Sequence, residues 1–153
     1  VFPLPARPRE SYHEPPRAFG APRNKCQRKH AACDLYAPAG TVVRAVAAGT
    51  LIEFKPFFQD VWALTIDHLG FVVRYGEVTP SLPAGLSVGC HVNAGDIVAT
   101  VGKLRPNTAP SDMLHLELFA GCLDGPLSQR ASPPFFRRAD LLDPTPYLDA
   151  ALT

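Results

Sequence analysis

His30 and Asp34 stand four residues apart in Arg28-Lys29-His30-Ala31-Ala32-Cys33-Asp34-Leu35-Tyr36, and His115 follows far downstream in Met113-Leu114-His115-Leu116-Glu117-Leu118-Phe119. Two imidazoles and one carboxylate are a complete ligand set for a catalytic zinc, whose fourth position stays open for water or substrate. A histidine/carboxylate set also suits zinc better than magnesium or calcium. The pair alone is weak, because a chain with five histidines shows chance pairs. The surrounding sequence adds weight. Read as a strand, the downstream run puts Met113, His115 and Glu117 on one face and Leu114, Leu116 and Leu118 on the other. His115 then faces a groove while the leucines fill a core.

The elements that must position these residues are short and extended. Asp34 to Gly40 reads as a strand ending in a turn, and Thr41 to Phe54 as two strands punctuated by Gly49. Val61-Trp62-Ala63-Leu64-Thr65-Ile66-Asp67 and Phe71-Val72-Val73-Arg74-Tyr75 read as a hairpin joined by His68-Leu69-Gly70, with His68 at the exposed tip. Val92 to Val98 is a turn leading into a strand, and Met113 to Phe119 is the last core strand. Ser132 to Phe136 is a loop, and Asp143-Pro144-Thr145-Pro146-Tyr147-Leu148 begins a short helix, since proline is tolerated in a first helical turn. Lys55 to Asp60 links two strands and is the expected groove lip. The pattern predicts a mainly β domain.

At 153 residues the chain is long enough for one domain with a sizeable core. Its 17 prolines argue against a helical bundle, and a net charge of +1 predicts no nucleic-acid partner. Charge is uneven, however. Residues 1–29 form a proline-rich arm with seven Lys/Arg against Glu10 and Glu14, suited to an acidic polymer such as a cell-wall glycan or to a solvated surface. Residues 30–153 form the domain proper, with the core ending near 125 and a loop and short helix after it. The chain opens on Val1, as expected of an excised piece. No stretch spans a membrane. Four cysteines, Cys26, Cys33, Cys90 and Cys122, fit no zinc finger. They permit two disulfides. A Cys26–Cys33 bridge would clamp the loop carrying His30 and leave Cys90 with Cys122. Four free thiols in a reducing compartment are the alternative.

His30-x-x-x-Asp34, then Leu35-Tyr36-Ala37-Pro38-Ala39-Gly40-Thr41, Val46-Ala47-Ala48-Gly49, Gly95-Asp96-Ile97-Val98 and His115-Leu116-Glu117-Leu118 occur in this order. Together they resemble the LytM/lysostaphin-type zinc metallopeptidases over roughly Phe19 to Phe119. The resemblance implies a compact, two-layered, mainly antiparallel β fold with a narrow groove. It also implies hydrolysis of amide bonds in the peptide part of bacterial peptidoglycan, and a Zn2+ ion on His30, Asp34 and His115. It exposes two departures. The family usually carries His-x-His at the last ligand, where this chain has Met113. It usually carries Tyr-x-His in the hairpin strand, where this chain has Tyr75-Gly76-Glu77.

Both missing histidines normally assist water activation and oxyanion stabilisation. Glu77 is expected to serve as the general base, a role that glutamate fills beside zinc in other metalloproteases. An ionised carboxylate cannot donate to an oxyanion, so that role falls to Arg74, Tyr75, Arg28 or Tyr36. Met113 has no proton chemistry and packs as a groove wall. Peptidoglycan is the expected substrate, and the cell envelope or a target cell's periplasm the expected location. Delivery as an antibacterial effector would imply a cognate immunity protein. The rival reading is an inactive LytM-like module that binds cell wall or a partner amidase.

Overall fold

A computed structural model describes residues 1–107 and 111–153. Its strands are β1 (Pro22–Arg23), β2 (Arg28–Lys29), β3 (Cys33–Tyr36), β4 (Val42–Arg44), β5 (Gly49–Phe58), β6 (Val61–Asp67), β7 (Val72–Val78), β8 (His91–Val92), β9 (Ile97–Thr100), β10 (Met113–Phe119) and β11 (Leu141–Leu142), with one helix, α1 (Thr145–Ala150). The principal sheet runs β11-β10-β7-β6-β5-β8, and β3 shares an edge of β10 with β11. All its pairings are antiparallel. A second antiparallel pair, β4–β9, lies across its inner face. Val43 and Val98 of that pair share one core with Leu51, Leu64, Ile66, Tyr75, Leu114 and Leu116. The fold is therefore mainly β and two-layered, as the alternating apolar pattern requires.

Every residue of β10 is buried. The leucines enter the main core. On the opposite face Met113 packs with Val61 and Leu104, and Phe119 with Val72 and Leu127. The proline-rich N-terminal segment is extended but packed down: Phe2, Leu4 and Tyr12 are buried in the main core, and Phe2 N–H donates to the Leu152 carbonyl at 2.8 Å. Proline suits this path, because a segment outside the ladders loses nothing by lacking an N–H.

Two expectations are corrected. His68 is not at the hairpin tip. Leu69 and Gly70 form the tip with positive φ, while His68 N–H donates to Phe71 O and the ring turns inward, 6% exposed. Gly49 makes room for it: a Cβ there would lie 2.9 Å from His68 Nδ1 and 2.4 Å from the Asp67 carbonyl oxygen. The expected disulfides are likewise not formed, and Cys26, Cys33, Cys90 and Cys122 are all free. Cys33 points inward, with its Sγ 3.3 Å from Thr145 Oγ1 of α1. Cys26 sits exposed in the β1–β2 turn, Cys90 lies beside Ser87, and Cys122 is exposed.

Candidate active site

Asp34 and His115 are direct cross-strand partners in the β3–β10 ladder, so their side chains rise side by side from one face. His30 follows β2 and continues its pairing, donating from its N–H to Ala21 O and accepting from Gly20 N–H at 2.8 Å each. The three side chains converge. Asp34 Oδ1 lies 2.8 Å from His115 Nδ1 and 3.1 Å from His30 Nε2, and the two ring nitrogens are 3.4 Å apart. All three residues are buried, and their donor atoms lie within 4.8 Å of one another. Two nitrogens and one carboxylate oxygen in this arrangement suit zinc.

Each of these residues is held from behind. His30 Nδ1 is 3.0 Å from the Ala18 carbonyl, which fixes that nitrogen as donor and turns Nε2 to the cluster. His115 Nε2 is 3.0 Å from Glu117 Oε1, two residues on along the same strand face. The Glu117 carboxylate in turn accepts from Arg74 Nε at 2.9 Å and from Arg137 Nε at 2.8 Å. Arg23 Nη2 reaches the second oxygen of Asp34 at 3.3 Å. Burial pulls the His115 pKa down, but the carboxylates of Asp34 and Glu117 outweigh it and hold the ring at about 9 in the metal-free protein. Burial opposes ionisation of Asp34, and hydrogen bonds from His115 and His30 more than reverse this, holding it below the ordinary carboxylate range. Glu117 is held low in the same way, by Arg74 and His115 against its burial. For His30, burial dominates and lowers the pKa.

Glu77 owes its place to a bulge. The β6–β7 register skips between Trp62/Val78 and Ala63/Gly76, leaving Glu77 as the extra residue, with φ of 63°. Strict alternation would send residue 77 to the same face as Tyr75, and the bulge re-aims it. Its carboxyl feels both His115 and Asp34, and burial pushes its pKa up to about 7. Among the described residues, Glu77 Oε2 is buried without a hydrogen-bond partner. Beside it, Gly76 faces His115 across the β7–β10 ladder. A Cβ at Gly76 would strike the Phe57 ring at 2.8 Å, so glycine lets that ring lie 5.5 Å, centre to centre, from the His115 imidazole. Phe57 belongs to β5, inside the segment expected to form the groove lip.

The other expected residues separate. Arg74 is not a free donor to a groove: it is 1% exposed, bound to Glu117 and, through Nη1, to Ser128 Oγ at 3.0 Å. Tyr75 points to the opposite face, where its hydroxyl accepts from Val46 N–H at 3.0 Å. Met113 is buried with Val61 and Leu104, and Tyr36 packs against that group. Arg28 lies within electrostatic reach of Glu117, Arg137 and Arg23. Sequence reasoning missed the roles of Arg23, Glu117 and Arg137. For Glu117 the strand alternation was an available signal. Arg23 and Arg137 had none, since their partners lie 11 and 20 residues away.

The family model for peptidase family M23 matches residues 28–124, a span holding all three converging residues and Glu77. The chain belongs to peptidase family M23. No curated protein matches this M23 chain. Among solved structures it is similar to lysostaphin from Staphylococcus simulans (17% identity, TM-score 0.63, covering 87% of this chain and 49% of that one). It is also similar to CbpA from L. salivarius REN (18% identity, TM-score 0.67, covering 97% and 93%). A third similar structure is a zinc-containing peptidase from Vibrio cholerae (19% identity, TM-score 0.57, covering 76% and 35%). The M23 chain thus spans about half the length of the lysostaphin structure. At these identities the likeness is one of fold, and the fold is that of the LytM/lysostaphin-type M23 peptidases. No helix among the described residues is long and apolar enough to cross a membrane.

Proposed function

We propose that this M23 domain is a zinc-dependent hydrolase of amide bonds in the peptide part of bacterial peptidoglycan. The observation that carries the reading is the convergence of His30 Nε2, Asp34 Oδ1 and His115 Nδ1 within electrostatic reach of Glu77, whose buried Oε2 has no hydrogen-bond partner among the described residues. Zinc on these three residues would polarise the scissile carbonyl and bring a coordinated water to a pKa of about 7. Glu77 takes the proton from the attacking water and delivers it to the leaving amine. Burial pushes its pKa up to about 7 without a metal, and a dication beside it would lower that value, so the ionised base form is populated at neutral pH. Glu117 keeps the His115 ring oriented, and Arg23 steadies Asp34 from its other oxygen. Phe57 and Met113 supply apolar walls that exclude water.

The reading places the protein's action in the cell envelope or a target cell's periplasm, as an antibacterial effector countered by a cognate immunity protein. The exchange of two usual family histidines for Glu77 and Met113 supports a specialised member of this kind. Digestion of purified sacculi, followed by mass spectrometry of released fragments, tests the chemistry. Zinc-loaded wild type should release fragments and His115→Ala none. Glu77→Gln should be slower by about 10²–10⁴-fold, the usual contribution of a general base. The rate should rise with pH along a limb at or below about 7, because a nearby dication lowers the carboxyl pKa from its metal-free value. A folded, zinc-loaded wild type that releases nothing would return the protein to the binding-module reading.

A further inference from the structure

Three buried side-chain polar atoms lack a hydrogen-bond partner among the described residues: Arg28 Nε, Thr65 Oγ1 and Glu77 Oε2. Glu77 is accounted for by the chemistry above, and Arg28 is not. It stands on β2, two residues before His30, in a half-buried position. It forms no ion pair among the described residues, whereas each neighbouring guanidinium has one. Arg23 holds Asp34, and Arg74 and Arg137 both hold Glu117. Four arginines therefore gather round three carboxyl groups, Asp34, Glu117 and Glu77. The site carries an excess of positive charge before any metal adds more. The buried Arg28 Nε is costly to leave unpaired, and the like-charged Arg137 nearby adds to the cost. Guanidinium is the side chain best shaped to take a carboxylate with two parallel hydrogen bonds.

We infer that Arg28, with Arg23 beside it, receives a free carboxylate of the substrate next to the scissile amide, so that the site selects acidic over neutral peptides. The inference rests on the peptidoglycan-hydrolase reading and names its substrate class. Arg28 acts here as a specificity-determining residue. It leaves the oxyanion to other groups.

Binding, rather than turnover, separates the two ideas. The Glu77→Gln protein, zinc-loaded, is sedimented with native sacculi and with sacculi whose free carboxyl groups have been converted to amides. Amidation should weaken retention by about 10- to 100-fold, the scale of one hydrogen bond to a charged group. Adding Arg28→Gln should abolish the preference, so that both preparations are held equally weakly. Adding Lys29→Gln, which removes the same charge from the exposed neighbouring residue, should preserve it. Arg28→Met, which keeps a flexible stem without a donor, repeats the test should the glutamine variant prove unstable. Equal retention of native and amidated sacculi by the parent would overturn the inference. So would a loss on Arg28 substitution that is the same for both preparations, the mark of an oxyanion or purely structural role. A preference that persists while wild type releases no fragments would leave the carboxylate clamp standing and remove the hydrolase.

Discussion

Two buried histidines, His115 and His68, sit on opposite sides of β7 at nearly equal exposure, 7% and 6%. Their pKa values nevertheless move in opposite directions. His115 is held at about 9 in the metal-free protein, while burial pushes His68 below its ordinary value. Depth is common to both and lowers both, so it does not explain the difference. His115 lies between two carboxylates, Asp34 and Glu117. His68 has the Ala48 carbonyl at 3.0 Å, the Tyr75 hydroxyl at 3.2 Å and the stacked Phe71 ring. The first environment is built for a cation, whether proton or metal. The second holds a neutral ring as packing material. In a β protein with several buried histidines, the negative charges around a ring are the better guide to function.

Glu117→Gln attacks this difference most directly. It should leave Arg74 and Arg137 without their shared counter-ion in a fully buried position, at a cost of about 3–5 kcal/mol in denaturant unfolding. It should also weaken zinc binding by about 10–100-fold in a competing-chelator titration. Unchanged zinc affinity would mean that Glu117 does not set the character of His115. A milder test follows the metal-free protein with pH. His115 has a raised pKa, so its contribution to stability is complete below 6.5 and lost as pH rises through about 9. His68 has a lowered pKa, so its contribution is complete above 6.5 and lost as pH falls through its depressed value. His115→Ala should therefore flatten the alkaline limb of unfolding midpoint against pH, and His68→Gln the acid limb. Either variant moving the other limb would contradict the contrast. The smallest effect belongs to Tyr75→Phe, which strands the Val46 N–H and should cost about 1–2 kcal/mol of stability. Fragment release from sacculi should be unchanged, because Tyr75 faces away from the site.

The same contrast marks what could be read from the sequence. The β10 run announced its alternation, so the face shared by Met113, His115 and Glu117 was legible, as was the β6–β7 hairpin. His30, Asp34 and His115 could be grouped because the surrounding motifs resemble a known family, and the structure brings the three together. His68 was misread because its burial depends on Gly49 of another strand leaving space for the ring. Tyr75 and Arg74 stood among four candidate oxyanion donors because their partners, Val46 and Glu117, lie 29 and 43 residues away and leave no local trace. The cysteine pairing failed for a related reason. Sequence spacing does not report the direction of a Cβ, and the Cys33 side chain faces α1.

The bulge at Glu77 has a consequence for how such a site can change. Because the left-handed backbone at residue 77 aims the side chain, the fold supplies a socket whose occupant is exchangeable. The carboxyl mounted there meets His115 and Asp34. Proton-transfer chemistry can then drift between residue types by exchange of a single residue while the metal ligands stay fixed. The vulnerable change is the loss of one residue between 76 and 78. It would remove the side chain at that socket and restore regular pairing, with Val78 keeping its place in the core.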